Sequence, residues 1–484
     1  MLRPSHYLLL LLAVSSVSLS AQSPCSTTTV SQNMICLIPQ IYGPSGLDAR
    51  NPDPALQGQF GIHFLTDSLG SLQSSIARQT ALLPLASPAS GVIFQWDPAA
   101  KAYQDATDSY GPILGERADT LGRYRVFVGF DYQYFRFTTI DGLNMKSLPV
   151  VLPQDDYIVN GTVNCSINSS DPNLNFGDSH DDGCGYIRDV ITTQNSFELK
   201  IHQFTTFVTF GLTNRIDVSV AIPIENVRLG MRSNATISQN DSPNDNVVPI
   251  HAFPSRSGCA APCLSMPYSS SATASGIGDI NLRVKAAAWR GEKAALALGA
   301  DIRTPTGDGL NFLGAGTAGV KPFIIWSYRA RLSPHAFVGY EINGSSIVAG
   351  DVLTGSKERL PGDLTYSAGA DIWITKRLTA AADIIGQQMF QDLETRRTTY
   401  TEPGQCQDNA NTGVNCDATL PVLTPKVDSN LTQATGTFNV TNVSLGAKAK
   451  LASTLLLTGN VVVKLNNAGL RSSAIPLVGL SYTF

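Results

Sequence analysis

From about residue 122 to the last residue, apolar side chains recur at every second position. In RYRVFVGFDYQYFRF (123–137), Tyr124, Val126, Val128, Phe130, Tyr132 and Tyr134 share one face of an extended segment, with Arg125, Asp131 and Gln133 on the other. RIDVSVAIP (215–223) sets Ile216, Val218, Val220 and Ile222 against Asp217, Ser219 and Ala221. GDINLRVKAAAW (278–289) sets Ile280, Leu282 and Val284 against Asp279, Asn281, Arg283 and Lys285. A period of two marks strands with unlike faces. The pattern predicts twelve strands, near 123–137, 196–212, 215–223, 279–289, 294–303, 317–326, 332–341, 363–373, 377–386, 440–450, 455–465 and 474–484.

The connections alternate in length. Tight ones fall at TN (213–214), RGEK (290–293), SYRAR (327–331), TK (375–376) and AST (452–454). Long polar ones fall at 138–195, 224–278, 304–316, 342–362 and 387–439, with a shorter one around NNAG. A soluble sandwich also alternates, but strands of about 9–11 residues with tight turns at one end and long loops at the other suit a transmembrane antiparallel β-barrel. The expected fold is therefore all-β, a barrel over 123–484. In lipid every backbone group needs a partner, so the last strand must close on the first. The final IPLVGLSYTF places Val478, Leu480, Tyr482 and Phe484 on one apolar face. It resembles the C-terminal signal by which bacterial outer-membrane barrels engage the barrel-assembly machinery.

The first 122 residues read differently. Arg3, the apolar run Leu8 to Val14 and the small residues of SSVSLSAQ form a signal peptide over 1–21, which predicts export. Residues 22–122 are expected to form a mixed plug or periplasmic segment. A helix should start near Thr66 or Asp67, with Leu69, Leu72, Ile76 and Leu83 at partial helical spacing. GVIFQWDPAAKAYQ reads as a hairpin turning at DPAA. If that hairpin joins the wall, the barrel has fourteen strands.

Composition narrows the chemistry. Charged residues are only 15% of the 484, against roughly a quarter in ordinary soluble proteins. A net charge of −4 gives no nucleic-acid footprint. Eight cysteines fall into local pairs, Cys25/Cys36, Cys165/Cys184, Cys259/Cys263 and Cys406/Cys416, and in an exported chain such pairs point to disulfides. The rival for CAAPC (259–263) is metal binding, but no further ligand lies close by in sequence, so no metal is expected. GAGTAGVK (314–321) lacks the phosphate-cradling Gly-Lys-Ser/Thr, and no cofactor is expected.

No catalytic constellation stands out, and the chain is not read as an enzyme. His335 points inward with Phe337 and Glu341, where a histidine in a hydrogen-bond network is the simpler reading. His180 sits in the acidic GDSHDDGCG with Asp178, Asp181 and Asp182, a cluster more often solvated than metal-binding. The lumen-facing positions are more informative. Inward cations are Arg125, Arg283, Lys285, Arg303, Lys321, Lys448, Lys450 and Lys464; inward acids are Asp131, Asp217, Asp279, Asp301, Glu341, Asp371 and Asp383. The signs nearly balance, which favours cross-strand ion pairs over a pore lined by one sign.

The phrases GIGDINLRVKA, LALGADIRTPTGDG, FGLTNRIDVSVAIP and VGLSYTF resemble outer-membrane proteins grouped as phenol-degradation-pathway or transporter barrels. These are distantly similar to fatty-acid and toluene uptake channels. The resemblance spans roughly 195–484 and implies passive uptake or efflux of small hydrophobic or aromatic compounds. The expected partners are outer-membrane lipid, the assembly machinery and a small-molecule substrate, with the chain a monomer. The alternative is a non-conducting structural or surface-interaction barrel whose stapled extracellular loops bind a partner.

Overall fold

A computed structural model of the chain describes residues 24–25, 31–43, 46–49, 70–83, 94–97, 102–105, 109–153, 157–159, 162–165, 189–240, 251–255, 259, 262–404, 421 and 425–484. The signal peptide and the His180 loop lie outside them.

Twelve antiparallel strands close into a barrel. They are β1 (Val126–Ile140), β2 (Val190–Gly211), β3 (Ile216–Ser238), β4 (Asn281–Arg290), β5 (Ala294–Arg303) and β6 (Gly319–Tyr328), then β7 (Leu332–Asn343), β8 (Asp363–Thr375), β9 (Leu378–Thr401), β10 (Val427–Ala452), β11 (Leu455–Lys464) and β12 (Ala474–Thr483). Each pairs with the next in sequence, and β12 pairs back onto β1 from Thr483↔Phe127 to Leu477↔Gln133. The Phe484 N–H donates to the Val126 carbonyl at 2.8 Å, so pairing runs to the last residue. The sheet holds 16 strands in all; the other four are the short segments Leu143–Asn144, Leu148–Leu152 and Leu470–Ser472 and the 13-residue Ser265–Ile277. The hairpin Phe94–Asp97 and Ala102–Asp105 forms its own two-stranded sheet, so the wall has twelve strands and not fourteen.

The alternation reads directly as inside and outside. Phe130, Phe204, Val218, Val284, Leu298, Ile324, Val338, Ile384, Leu445 and Leu480 are all exposed on the outer surface, with relative accessibilities from 41% to 55%. Their in-register neighbours, such as Asp217, Lys285, Asp301, Asp371 and Lys448, are buried inside. Large apolar side chains outside and charges inside reverse the order of a soluble protein, which is what lipid as solvent requires. No described helix is long and apolar enough to cross a membrane. The barrel lies in the bacterial outer membrane.

Two sequence expectations need correction. The alternation marks β2, β3, β9 and β10 as ending where the apolar face ends, yet they run for 22, 23, 24 and 26 residues. Beyond the membrane their outward positions turn polar, as at Arg228 and Arg232, while backbone pairing continues unbroken. The segment Ser265–Ile277, expected as loop, pairs with the upper part of β3 throughout; its inward Met266, Tyr268, Ala272 and Ala274 pack on the lumen core while serine, threonine and proline face outward before Ile277.

The N-terminal helix α1 spans Ser71–Ala81. Its Leu72 and Ile76 are completely buried, as the spacing predicts; Leu69 lies outside the described residues. They belong to the main hydrophobic core, which fills the long-loop end of the lumen with Met34, Ile38, Phe135, Phe197, Leu199, Val227 and Leu229. Burial of an aliphatic side chain contributes roughly 1.5–3 kcal/mol. Disulfides join Cys25 to Cys36 and Cys259 to Cys263. Cys184, Cys406, Cys416 and the side chain of Cys165 lie outside the described residues.

Candidate functional site

Residues 109–121 lie across the lumen at its short-turn end and touch the wall on many sides. The Tyr110 hydroxyl donates to the Lys376 carbonyl (2.6 Å) and its backbone N–H to Thr379 Oγ1 (3.1 Å). Lys448 Nζ donates to the carbonyls of Pro112 (2.5 Å) and Tyr110 (3.2 Å). Glu116 pairs with Arg283, Arg117 with Asp371 (2.5 Å) and Asp119 with Arg329 (2.5 Å). The Leu121 N–H donates to Asp217 Oδ2 at 2.9 Å, and Lys285 Nζ to the Arg117 carbonyl at 3.3 Å. Gly115 allows the closest approach: a Cβ there would sit 2.6 Å from His335 Nε2 and 2.8 Å from Asp383 Oδ1.

His335 Nε2 lies 2.5 Å from Asp383 Oδ1, with Nδ1 3.6 Å from Asp371 Oδ1. It is buried in a network that also takes in Arg117 and Ser109, the setting expected for a lumen histidine.

At the opposite end, α1 is tied to the extended strands and loops. Arg78 pairs with Asp392 (3.4 Å) and Glu358 (3.1 Å), and the Ser74 and Ser75 hydroxyls donate to the carbonyls of Gly350 and Leu393, each at 3.2 Å. Burial pushes the Asp392 carboxyl above the usual carboxylate range, with Arg78 pulling the other way. The Tyr42 hydroxyl shares a 2.8 Å hydrogen bond with Ser233 Oγ.

Between these two layers lies a chamber of about 210 Å³. Leu82 and Leu83 line it from above, Leu114 and Glu116 from below. One part of its wall is apolar, including Phe135, Phe137, Phe337, Ile385 and Ile475. Another part carries an ion-pair ladder across β4 to β7. Arg283 reaches Asp301 (2.5 Å), Arg303 reaches Asp279 and Glu341 (both 3.0 Å), and Lys321 reaches Glu341 (3.4 Å). The Arg283 guanidinium also lies 4.9 Å from the Phe323 ring centroid. Arg471, unlike the ladder cations, has no carboxylate partner among the described residues.

The inward residues named from the alternation thus divide. Asp217, Arg283, Lys285, Asp371 and Lys448 hold residues 109–121, and His335 and Asp383 pack beside them. Asp279, Asp301, Arg303, Lys321 and Glu341 form the ladder. Arg125 precedes β1, Asp131 and Lys450 are half-buried, and Lys464 bonds Asn467 Oδ1 at 2.9 Å; none of these four joins either group. Sequence reasoning missed Glu116, Arg117 and Asp119, although GERAD places both signs of charge in a stretch otherwise poor in them. Val478, Leu480 and Phe484 are exposed on the outer face, with the Tyr482 and Phe484 rings 4.6 Å apart. No group of potential metal ligands occurs among the described residues.

A lipid-facing wall around a polar, partly filled lumen defines an outer-membrane β-barrel. Residues 188–451, more than half of the chain, match the family described as "Putative MetA-pathway of phenol degradation", and the chain belongs to that family. Among solved structures it is similar to an outer-membrane channel from Pseudomonas putida F1, at 10% identity over 76% of this chain and 98% of that one, with a TM-score of 0.42. A Pseudomonas aeruginosa FadL homologue gives 10% identity over 82% and 96%, with a TM-score of 0.30. The CymD monoaromatic hydrocarbon channel gives 7% over 75% and 88%, with a TM-score of 0.23. A comparison with curated proteins returns no match.

Proposed function

We propose that this protein is a monomeric outer-membrane channel for passive passage of small hydrophobic or aromatic compounds, and that it performs no chemistry on them. Residues 123–484 form its wall and residues 22–122 its plug, following a signal peptide over 1–21. The observation that carries the reading is the chamber. A pore for ions and sugars has no use for a compartment walled by Phe135, Phe137, Phe337, Ile385 and Leu83 inside a membrane-spanning barrel. Membership of a family described by phenol degradation supports the same substrate class. Val478, Leu480, Tyr482 and Phe484 serve the assembly machinery.

Single-channel conductance in planar bilayers tests this, using the mature chain and one lacking residues 22–122, both shown to be folded by heat-modifiable gel mobility. Conductance that rises on truncation and is blocked by toluene supports a plugged channel. Silence from both folded barrels defeats it and leaves the non-conducting surface barrel.

A further inference from the structure

Four cations line the chamber: Arg283, Arg303, Lys321 and Arg471. The first three are neutralised by acids in the ladder. Arg471 is different. It sits on Leu470–Ser472, which pairs with the upper end of β1, and it is only 3% exposed. Its Nη2 donates to the Thr441 carbonyl and to Asn442 Oδ1, both at 2.7 Å, and its Nε has no partner among the described residues. Burial without a neighbouring carboxylate lowers its pKa to about 10. A buried guanidinium left without a counter-charge is costly, and planar, two-pronged donation suits a carboxylate. Phe135, Phe137 and Ile475 line the same chamber.

We infer that Arg471 anchors the carboxylate of a small aromatic acid, whose ring occupies the apolar part of the chamber. The inference rests on the channel reading above and narrows its substrate class from hydrophobic compounds to hydrophobic acids. Size agrees: the chamber of about 210 Å³ exceeds the ~150 Å³ of an apolar cavity that accommodates benzene, leaving room for one ring and a short acidic arm. Charge agrees too, since the ladder cations are already paired and, among the described residues lining the chamber, Arg471 is the one cation without an acid beside it.

The test is calorimetric titration of the full mature chain in an uncharged detergent with 3-phenylpropionate and with 3-phenylpropanol, which differ only in the acidic end. The acid should bind the wild type about 10-fold or more tightly than the alcohol, as expected for a charge-assisted hydrogen bond. Arg471→Gln should remove that preference and leave the alcohol unchanged, and Arg471→Lys should restore part of it. Should Arg471→Gln not assemble, Arg471→Lys decides instead: a reduced preference for the acid supports the assignment, and a folded Arg471→Lys with the full wild-type preference overturns it. Equal binding of acid and alcohol to the wild type, or undiminished acid binding by folded Arg471→Gln, overturns the assignment but leaves the channel reading standing. Failure of both compounds to bind overturns both.

Discussion

Arg117 Nη2 lies 2.5 Å from Asp371 Oδ2, and both side chains are almost wholly buried, at 5% and 0% accessibility. The two residues are 254 apart in sequence, so this contact joins the N-terminal segment to the barrel wall. Removing one member of a buried pair strands the other, at a cost of about 3–5 kcal/mol. Arg117→Ala should therefore loosen residues 109–121, seen as faster protease cleavage within them and more frequent opening in bilayers. The double variant Arg117→Ala/Asp371→Ala should lose less than the sum of the two single changes. Unchanged protection in Arg117→Ala would mean that the surrounding hydrogen bonds hold the segment without this pair.

Ile324 is 48% exposed in the middle of β6, on the lipid side. Ile324→Arg should destabilise the barrel by roughly 2–4 kcal/mol if it lies near the bilayer midplane. The measurement is urea unfolding in lipid vesicles. Arg232→Glu, exposed on β3 beyond the apolar belt, should change stability by no more than about 0.5 kcal/mol. Equal effects at both positions would contradict the placement of the membrane.

Phe484 is 61% exposed, and only its backbone N–H completes the ladder to Val126. Its deletion should cut the amount of barrel inserted in cells by several-fold, while the inserted fraction keeps wild-type conductance. Normal insertion of the shortened chain would show that the assembly machinery reads something else.

The Cys25–Cys36 disulfide closes a loop at the edge of the lumen core, where Met34, Ile35 and Cys36 are buried. Cys36→Ser should open residues 24–42 to protease at a local cost of about 2–4 kcal/mol, without changing the heat-modifiable mobility of the barrel. Intact mass of the unreduced chain should account for all eight cysteines as disulfides. Eight alkylatable thiols would refute the pairing.

Much of the wall was legible because a membrane strand exposes its environment in every residue. Leu282, Arg283, Val284 and Lys285 alternate between lipid and lumen, and no tertiary information is needed to see which side each must face. The same logic fails beyond the membrane. In Ser265–Ile277 the outward side is not lipid, so the outward positions before Ile277 are serine, threonine and proline; Met266, Tyr268, Ala272 and Ala274 face the core, an order opposite to that of the membrane strands. A bulge between Ala287 and Trp289 likewise turns Trp289 outward, out of strict alternation.

The sequence by itself therefore determined the fold class and the order in which the strands pair. Local periodicity and turn lengths carry both, and lipid enforces them; that the wall has twelve strands and not fourteen was decided by the separate pairing of Phe94–Asp97 with Ala102–Asp105. The tertiary structure also decided what the inward charges do. Whether Asp371 meets a neighbouring strand, water or Arg117 depends on how a segment far away in sequence is threaded through the lumen. The same holds for Arg471, whose distinction is that its partners are neutral: composition counts its charge, and only the packed lumen shows that no carboxylate among the described residues opposes it.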